Sequence, residues 1–348
     1  MSGLLDNAEA KPAKIYLLGE NGTGKTGSKA ALVCAGYKLR IIDTDKGVDT
    51  LHGLLTNDHY PYAKIIRAKG IDLNEAVRVV SFDVEMASRI IKRMVSGKET
   101  SVSVLAPKNA NAWQNIVDQV DNWQEPPKWL RKPQEKPTHE FGNIQTWGPD
   151  VVLDIDTFST AAMMCFYYIQ QLNGRLGELE EGYDYQRDIG SAQGQLRRML
   201  EFLSAKSVRC NVIINTHINR LDLSAGVIAS PEQRARDQRP VDAKGYPAAI
   251  GRALSPSMGK FSNNIFTVTQ EGTGSNVKRK INTVPVAVNG AVVYAKNSVY
   301  LEKDYDVSTG LAEIFAALRA QPTPTELIQQ IKGPAAEAPK PVPVRAAL

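Results

Sequence analysis

The sequence predicts an α/β fold: a mainly parallel sheet flanked by helices, with a C-terminal part rich in β-hairpins. Three observations predict it. Apolar runs at Ile15–Leu18, Leu39–Ile42, Val151–Asp156 and Asn211–Asn215 alternate with helix-compatible stretches, the pattern of parallel strands joined by right-handed crossovers. A glycine-rich turn joins the first run directly to a helical stretch. From Ile265 to Leu301 short alternating runs are separated by Gly and Asn, which is the signature of hairpins.

The 348 residues correspond to about two domains, or to one large α/β domain with insertions, on a prior of roughly 150 residues per domain. At 43% hydrophobic and 23% charged residues the chain is an ordinary globular one with a sizeable core. No apolar run approaches the roughly 18 residues of a membrane span; the most apolar helical stretch, Ala161–Ile169, is too short. Cys34, Cys165 and Cys210 are far apart, which excludes a CxxC zinc or redox motif and a disulfide framework. They read as small buried hydrophobes in a reducing cytoplasm. The opening MSGLLDNAEAKPAK has no basic-then-apolar signal pattern, so the expected location is cytoplasmic. A net charge of +5 does not by itself diagnose nucleic-acid binding; its distribution matters more.

In chain order, residues 1–13 form a polar lead-in, followed by the strand Ile15–Leu18, the turn, and a helix over Lys25–Gly36. The second strand, Leu39–Ile42, is stopped by Asp43 and Asp45. Within the mixed segment 50–105, Val84, Ala87, Ile90, Ile91 and Met94 predict an amphipathic helix over Asp83–Val95. Trp113, Ile116, Val117, Val120 and Trp123 predict another over Asn111–Trp123, a core element or a subunit contact. Glu125–Pro149 carries five prolines and reads as a surface loop, so that about 98–148 is a helical, Pro-rich insertion. After the strand Val151–Asp156 come a long helix from about Ser159, a polar loop near 174–190, a helix at 191–206 and the strand Asn211–Asn215. Residues 219–260 are polar and Arg-rich with few strand or helix signals. A helical segment spans 306–332, and 333–348 is a Pro/Ala-rich disordered tail.

Gly19-Glu-Asn-Gly-Thr-Gly-Lys-Thr26 fits G-x-x-x-x-G-K-[ST] at every fixed position, with an apolar strand before it and a helix after it. Gly19, Gly22 and Gly24, with Asn21 and Thr23 between them, let the loop bend so that backbone N–H groups point at an anion. The helix N-terminus adds its partial positive charge. Lys25 is placed to bridge the β- and γ-phosphates and the Thr26 hydroxyl to ligate Mg²⁺. Asp154 and Asp156 end an apolar strand and share one face. Asp156, at the C-terminal edge where ligands bind in open α/β sheets, is the better partner for the metal; Asp154 is the alternative, or a helix cap. Asp43 and Asp45 emerge at the same edge, as groups that orient or deprotonate water or as solvated turn carboxylates. His217, just past a strand end, either meets the γ-phosphate or is structural.

On GENGTGKT, IIDTDKG, LDIDTFST, CNVIINTHINR and GRALSPSMGKFSN, the chain resembles RecA-like P-loop ATPases. It is more closely similar to phage ATP-binding proteins of that superfamily, which include single-strand-annealing recombinases. The resemblance covers roughly residues 12–270 and implies a RecA-like ATPase domain over 14–305 that uses ATP and Mg²⁺. It places the family's catalytic carboxylate on Asp45, an Asp where the family has Glu, one methylene shorter. It places the metal-binding acid on Asp156 and the switch residue on His217 or Asn215. It makes about 219–250 the candidate DNA-binding loop, and it implies a site between subunits of a homo-oligomeric ring or filament, with Arg252 or Lys260 acting in trans. Independently, residues 219–260 carry Arg220, Arg234, Arg236, Arg239, Lys244, Arg252 and Lys260 against four acids, a local excess of +3, suited to phosphate contacts that do not read sequence. Lys278-Arg279-Lys280 form a second cluster, placed on a hairpin tip. Tyr246 is the one aromatic residue of this loop before Phe261, fewer than a stacking platform uses.

The expected function is an oligomeric, DNA-binding Mg-ATPase of phage recombination, repair or single-strand annealing. Its partners would be single-stranded DNA and a single-strand DNA-binding protein, in a bacterial host cytoplasm, with no membrane. The alternatives are a helicase or translocase motor of the same superfamily, a P-loop small-molecule kinase, and an ATP-gated assembly protein. The absence of an NKxD-type motif leans toward ATP over GTP.

Overall fold

A computed structural model describes residues 12–176, 185–222, 243–272 and 276–320. Strand β1 (Lys14–Leu18), buried throughout, runs into the loop Gly19–Thr26, a 3-10 turn at Gly27–Lys29 and the short buried helix α1 (Ala30–Cys34). Strand β2 (Lys38–Asp43) follows, then helices α2 (Val48–Thr56), α3 (Pro61–Lys69) and α4 (Leu73–Ala76). Helix α3 starts on Pro61, whose missing N–H costs nothing there, and ends at Gly70 in the left-handed region (φ 64°). Next come β3 (Val77–Ser81), the hairpin of β4 (Met86–Val95) and β5 (Lys98–Pro107), α5 (Ala112–Asp121), and the short pair β6 (Trp123–Glu125) and β7 (His139–Gly142). Strand β8 (Val151–Asp156), α6 (Phe158–Leu172), α7 (Tyr185–Ser204) and β9 (Asn211–Thr216) complete the alternating core. The remainder comprises β10 (Ile218–Asp222), β11 (Ala243–Pro247), β12 (Asn264–Glu271), β13 (Lys278–Asn282), β14 (Val286–Val288), β15 (Ala291–Val293), β16 (Asp304–Asp306) and α8 (Gly310–Arg319).

The main sheet has the order β16-β13-β12-β1-β9-β8-β2-β3. From β12 to β3 every neighbouring pair is parallel; β13 and β16 extend it antiparallel. Alternation along each strand divides the core in two. Ile15, Leu17, Leu39, Ile41 and Ile213 pack with α1 and with Leu311, Ile314 and Phe315 of α8. Tyr16, Leu18, Ile42, Leu153 and Ile214 face the other way, onto α5, α6 and α7. Register brings Leu18 beside Thr216 and Asp43 beside Asp156. The loops after β1, β2, β8 and β9 therefore leave the sheet at one edge, and the site lies there. A second sheet, β10-β11-β15-β14, packs its Ile218 and Val293 against the core of α5, α6 and α7.

The structure corrects the expected helix over Asp83–Val95, whose residues from Met86 onward form β4 instead. Val95 pairs with Lys98 across the two-residue turn Ser96-Gly97, both in the left-handed region (φ 52° and 79°), the geometry of a type I′ hairpin. Ile90 is 77% exposed, so the apolar positions at helical spacing do not form one buried stripe. The overlooked signals were the Ser-Gly dipeptide, the β-branched Ile90, Ile91 and Val95, and the alternation of Val102 and Val104 with serines on the partner strand. Residues 98–148 hold one strand of this hairpin, α5, two 3-10 turns at Lys128–Leu130 and Ile144–Thr146, and the β6–β7 pair within the expected Pro-rich loop. Trp113 and Trp123 are core. The helix expected at 191–206 begins at Tyr185, and the stretch expected to lack regular structure contains β10, β11 and a 3-10 segment at Ser255–Phe261. Lys278, Arg279 and Lys280 lie within β13, opposite Glu271, Gln270 and Thr269, rather than at a hairpin tip. The lead-in up to residue 11, Arg234, Arg236 and Arg239, and the tail lie outside the described residues. Cys34, Cys165 and Cys210 are buried and free. Among the described residues no helix is long and apolar enough to cross a membrane.

Candidate nucleotide site

The glycines of the loop after β1 are there for geometry. Gly22 and Gly24 adopt φ 76° and 100°, a region that side chains with a Cβ avoid. A Cβ at Gly19 would stand 2.7 Å from Thr23 Oγ1 and 2.9 Å from the Val268 carbonyl. Thr23 Oγ1 donates to the Glu20 carbonyl at 2.9 Å, and Ser28 Oγ to the Lys25 carbonyl at 2.7 Å, bracing the loop from both ends. Lys25 is buried, its ammonium donating to the carbonyls of Gly19 (2.7 Å) and Glu20 (2.9 Å). Burial draws its pKa below the ordinary range, with Asp156 opposing.

The acid strand delivers Asp156 to this loop: Thr26 Oγ1 donates to Asp156 Oδ2 at 2.7 Å. Asp154, one pleat back, is held differently. Its Oδ1 accepts from Asn215 Nδ2 at 3.0 Å, and burial pushes its carboxyl up to about 7. Between the two acids lies Lys29, which sequence reasoning missed. It is completely buried, with Nζ 2.6 Å from Asp154 Oδ2 and 2.7 Å from Asp156 Oδ2. Burial alone would lower the pKa of this ammonium; the two carboxylates outweigh it and hold it above its ordinary value. Burial likewise opposes ionisation of Asp156, but Lys29 and Thr26 overcome it and keep the carboxylate charged. A Lys four positions after the motif's own Lys was the available signal.

Lys25, Thr26 and Asp156 line a cavity of about 720 Å³. Asn21, Gly22, Gly24, Lys25 and Thr26 line it, as do Asp45, Asp156 and His217. Asp45 Oδ1 accepts from the Gly47 N–H at 3.2 Å; partial desolvation, then Asp156, pushes its carboxyl up. Asp43 does not line the cavity, being buried with Oδ2 on Ser81 Oγ at 3.1 Å. Asn215 is buried beside Asp154, so of the two switch candidates it is His217 that faces the cavity. Leu54, Tyr60, Tyr62 and Val307 also line it, apolar and aromatic groups that no motif announced. Tyr62 Oη is fixed by a 2.8 Å bond to the Ser308 carbonyl.

The basic candidates separate in space. Lys278 and Arg279 line the same cavity; Arg279 Nε donates to the Gly22 carbonyl at 3.2 Å, and a Cβ on Gly24 would come within 3.0 Å of Arg279 Cδ. Lys280 turns to Asp304, 3.5 Å away. Arg220 on β10 pairs with Glu20 in the phosphate loop. Lys244 is exposed on β11. Arg252 and Lys260 are exposed and outside the cavity; Lys260 leads into the start of β12, which pairs with the start of β1, at the edge away from the phosphate loop.

A hard-oxygen metal fits here. Asp156 Oδ1 is buried with no hydrogen-bond partner among the described residues, beside the Thr26 hydroxyl. Mg²⁺ characteristically takes one or two such ligands and completes its shell with waters and phosphate oxygens.

No protein-family model and no curated protein matches the chain. Among solved structures, a KaiC-like protein from the hyperthermophilic archaeon Pyrococcus horikoshii is similar with TM-score 0.32 and 12% identity, over 84% of this chain and 84% of that one. The flagellar accessory protein FlaH from Methanocaldococcus jannaschii is similar with TM-score 0.33 and 9% identity, again over 84% of each chain. Likeness at this level carries no argument about activity. The fold itself is α/β: a large, mainly parallel sheet flanked by helices, with the glycine-rich loop at the C-terminal end of β1.

Proposed function

We propose that this chain is an oligomeric, Mg-ATP-dependent ATPase that binds single-stranded DNA and acts in phage DNA recombination, repair or strand annealing. The observation that carries the ATPase reading is the convergence of Lys25, Thr26, Asp45, Asp156 and His217 around one cavity at a single sheet edge. The loop amides and Lys25 bind the phosphate chain, Lys25 exchanging two carbonyl partners for phosphate oxygens. Thr26 and Asp156 would hold Mg²⁺, which when bound offsets phosphate charge. Asp45 accepts a proton from the attacking water, its raised pKa favouring that role by matching the base more closely to neutral pH. Tyr60, Tyr62 and Leu54 offer the apolar wall that a nucleobase needs.

The DNA reading rests on the resemblance and on one contact. Strands β10 and β11, which come immediately before and after residues 223–242 in the sequence, pair antiparallel, and Arg220 of that pair is bonded to Glu20 of the phosphate loop. A change at the phosphates is thus felt at the root of the candidate DNA segment. Arg252 and Lys260, exposed and outside their own cavity, suit supply of a cation to a neighbouring subunit, a contribution of about 10³–10⁵ in rate where an arginine finger acts.

The test is ATP turnover with Mg²⁺, with and without single-stranded DNA, beside a Lys25→Ala control. DNA-stimulated turnover that disappears in the control is the expected result. Turnover indifferent to DNA refutes the coupling and favours a kinase or DNA-independent motor; tight binding without turnover favours an ATP-gated assembly protein.

A further inference from the structure

We infer that Lys29 is a positioning residue for the metal–nucleotide complex: its buried ammonium fixes Asp156 through Oδ2, so that Oδ1 is the oxygen kept for the metal. The inference rests on the proposed nucleotide site and concerns a residue outside the nucleotide-binding motif.

A fully buried ammonium is costly unless it is paired, and a purely structural pair would need one carboxylate. Lys29 instead spans two, Asp154 Oδ2 at 2.6 Å and Asp156 Oδ2 at 2.7 Å. Asp156 Oδ2 receives a second donor, Thr26 Oγ1 at 2.7 Å. Both donors come from the short segment that closes the phosphate loop, Thr26 and the 3-10 turn Gly27–Lys29. The other oxygen, Asp156 Oδ1, is buried without a hydrogen-bond partner among the described residues, on a residue that lines the cavity. Two donors on one oxygen fix the carboxylate about its Cβ–Cγ bond, a torsion that is otherwise broad. Asp154 anchors the ammonium from behind and is itself held by Asn215 Nδ2 at 3.0 Å. Mg²⁺ dehydrates reluctantly and demands near-ideal octahedral geometry, so an oxygen of fixed direction serves it better than a freely turning carboxylate.

The test compares the full wild-type chain with one carrying Lys29→Met and Asp154→Asn together. That pair of changes removes one cation and one anion and leaves the net buried charge unaltered. Thermal melting is recorded, and binding of a fluorescent ATP analogue is measured in EDTA and across a Mg²⁺ titration. The expected variant folds, binds the analogue in EDTA as the wild type does, and needs about 10–100-fold more Mg²⁺ to reach half of the metal-induced gain in affinity, the usual cost of losing a group that orients a metal ligand. An unchanged Mg²⁺ midpoint in a variant that merely melts earlier overturns the inference and leaves Lys29 a structural tie. Should the double variant not fold, Lys29→Gln, which retains a hydrogen-bond donor without the charge, is read by the same midpoint. A wild-type chain that binds no analogue in either condition overturns the nucleotide site itself, and this inference with it.

Discussion

Lys25 and Lys29 at the phosphate edge are buried and end on named oxygens 2.6–2.9 Å away, whereas Lys244, Arg252 and Lys260 on the surrounding surface stand open to solvent. The difference is one of commitment. A desolvated ammonium must be matched by fixed acceptors, so its position is determined by the fold and its removal is felt at once. A hydrated cation has given up nothing and contributes little to stability unless a partner arrives. On the proposed function, the first kind of site acts within the single chain, and the second acts only with DNA or another subunit.

The largest effect that would sharpen this contrast is at Lys25. Lys25→Ala should lower ATP turnover by about 10²–10³-fold or more, the cost of losing one preorganised charge-stabilising donor, while the chain still unfolds cooperatively in a melting experiment. Wild-type turnover in that variant would break the comparison at its strongest point. Next in size, Lys29→Ala leaves Asp154 and Asp156 facing each other without their cation and should cost about 3–5 kcal/mol of stability, read as a lowered denaturant midpoint. An unchanged midpoint would mean that this buried cluster is not the committed kind.

Lys14 is intermediate, a buried cation whose ammonium donates to the carbonyls of Val208 (3.0 Å) and Cys210 (2.9 Å). Burial lowers its pKa from the ordinary 10.5 to about 8. Between these values the unfolded chain binds more protons than the native one, so this residue makes stability rise with pH across that window, its cost being fully present below about pH 8. Lys14→Met should remove that rise, and paired urea titrations of both chains near the two ends of the window would show it; parallel curves would refute the assignment. Smallest of all, Arg252→Ala and Lys260→Ala should each leave stability within about 0.5 kcal/mol of the wild type, as exposed substitutions do. Any loss of turnover they cause should be restored by mixing with Lys25→Ala chains, which keep both cations. Failure of such mixing to restore turnover argues against action between subunits.

Legibility followed distance along the chain. The phosphate loop is eight contiguous residues whose glycines answer local steric demands, and it was readable outright, as was the strand–helix alternation. The β4–β5 hairpin was not, because Ile90, Ile91 and Met94 satisfy helical spacing too, and only pairing of Met86–Val95 with Lys98–Pro107 settles the matter. Lys278 and Arg279 were legible as basic but not as cavity walls, because their place comes from the pairing of β13 beside β12 and, through it, β1.

The sequence by itself therefore determined the α/β class, the phosphate cradle and the two candidate acids on β8, since each rests on neighbours a few residues apart. Tertiary structure alone decided that Lys29 meets Asp156 across 127 positions, that Arg220 meets Glu20 across 200, and that Arg279 meets Gly22 across 257. Such contacts arise from strand order and register, which short-range propensities do not encode, and burial then makes them strong.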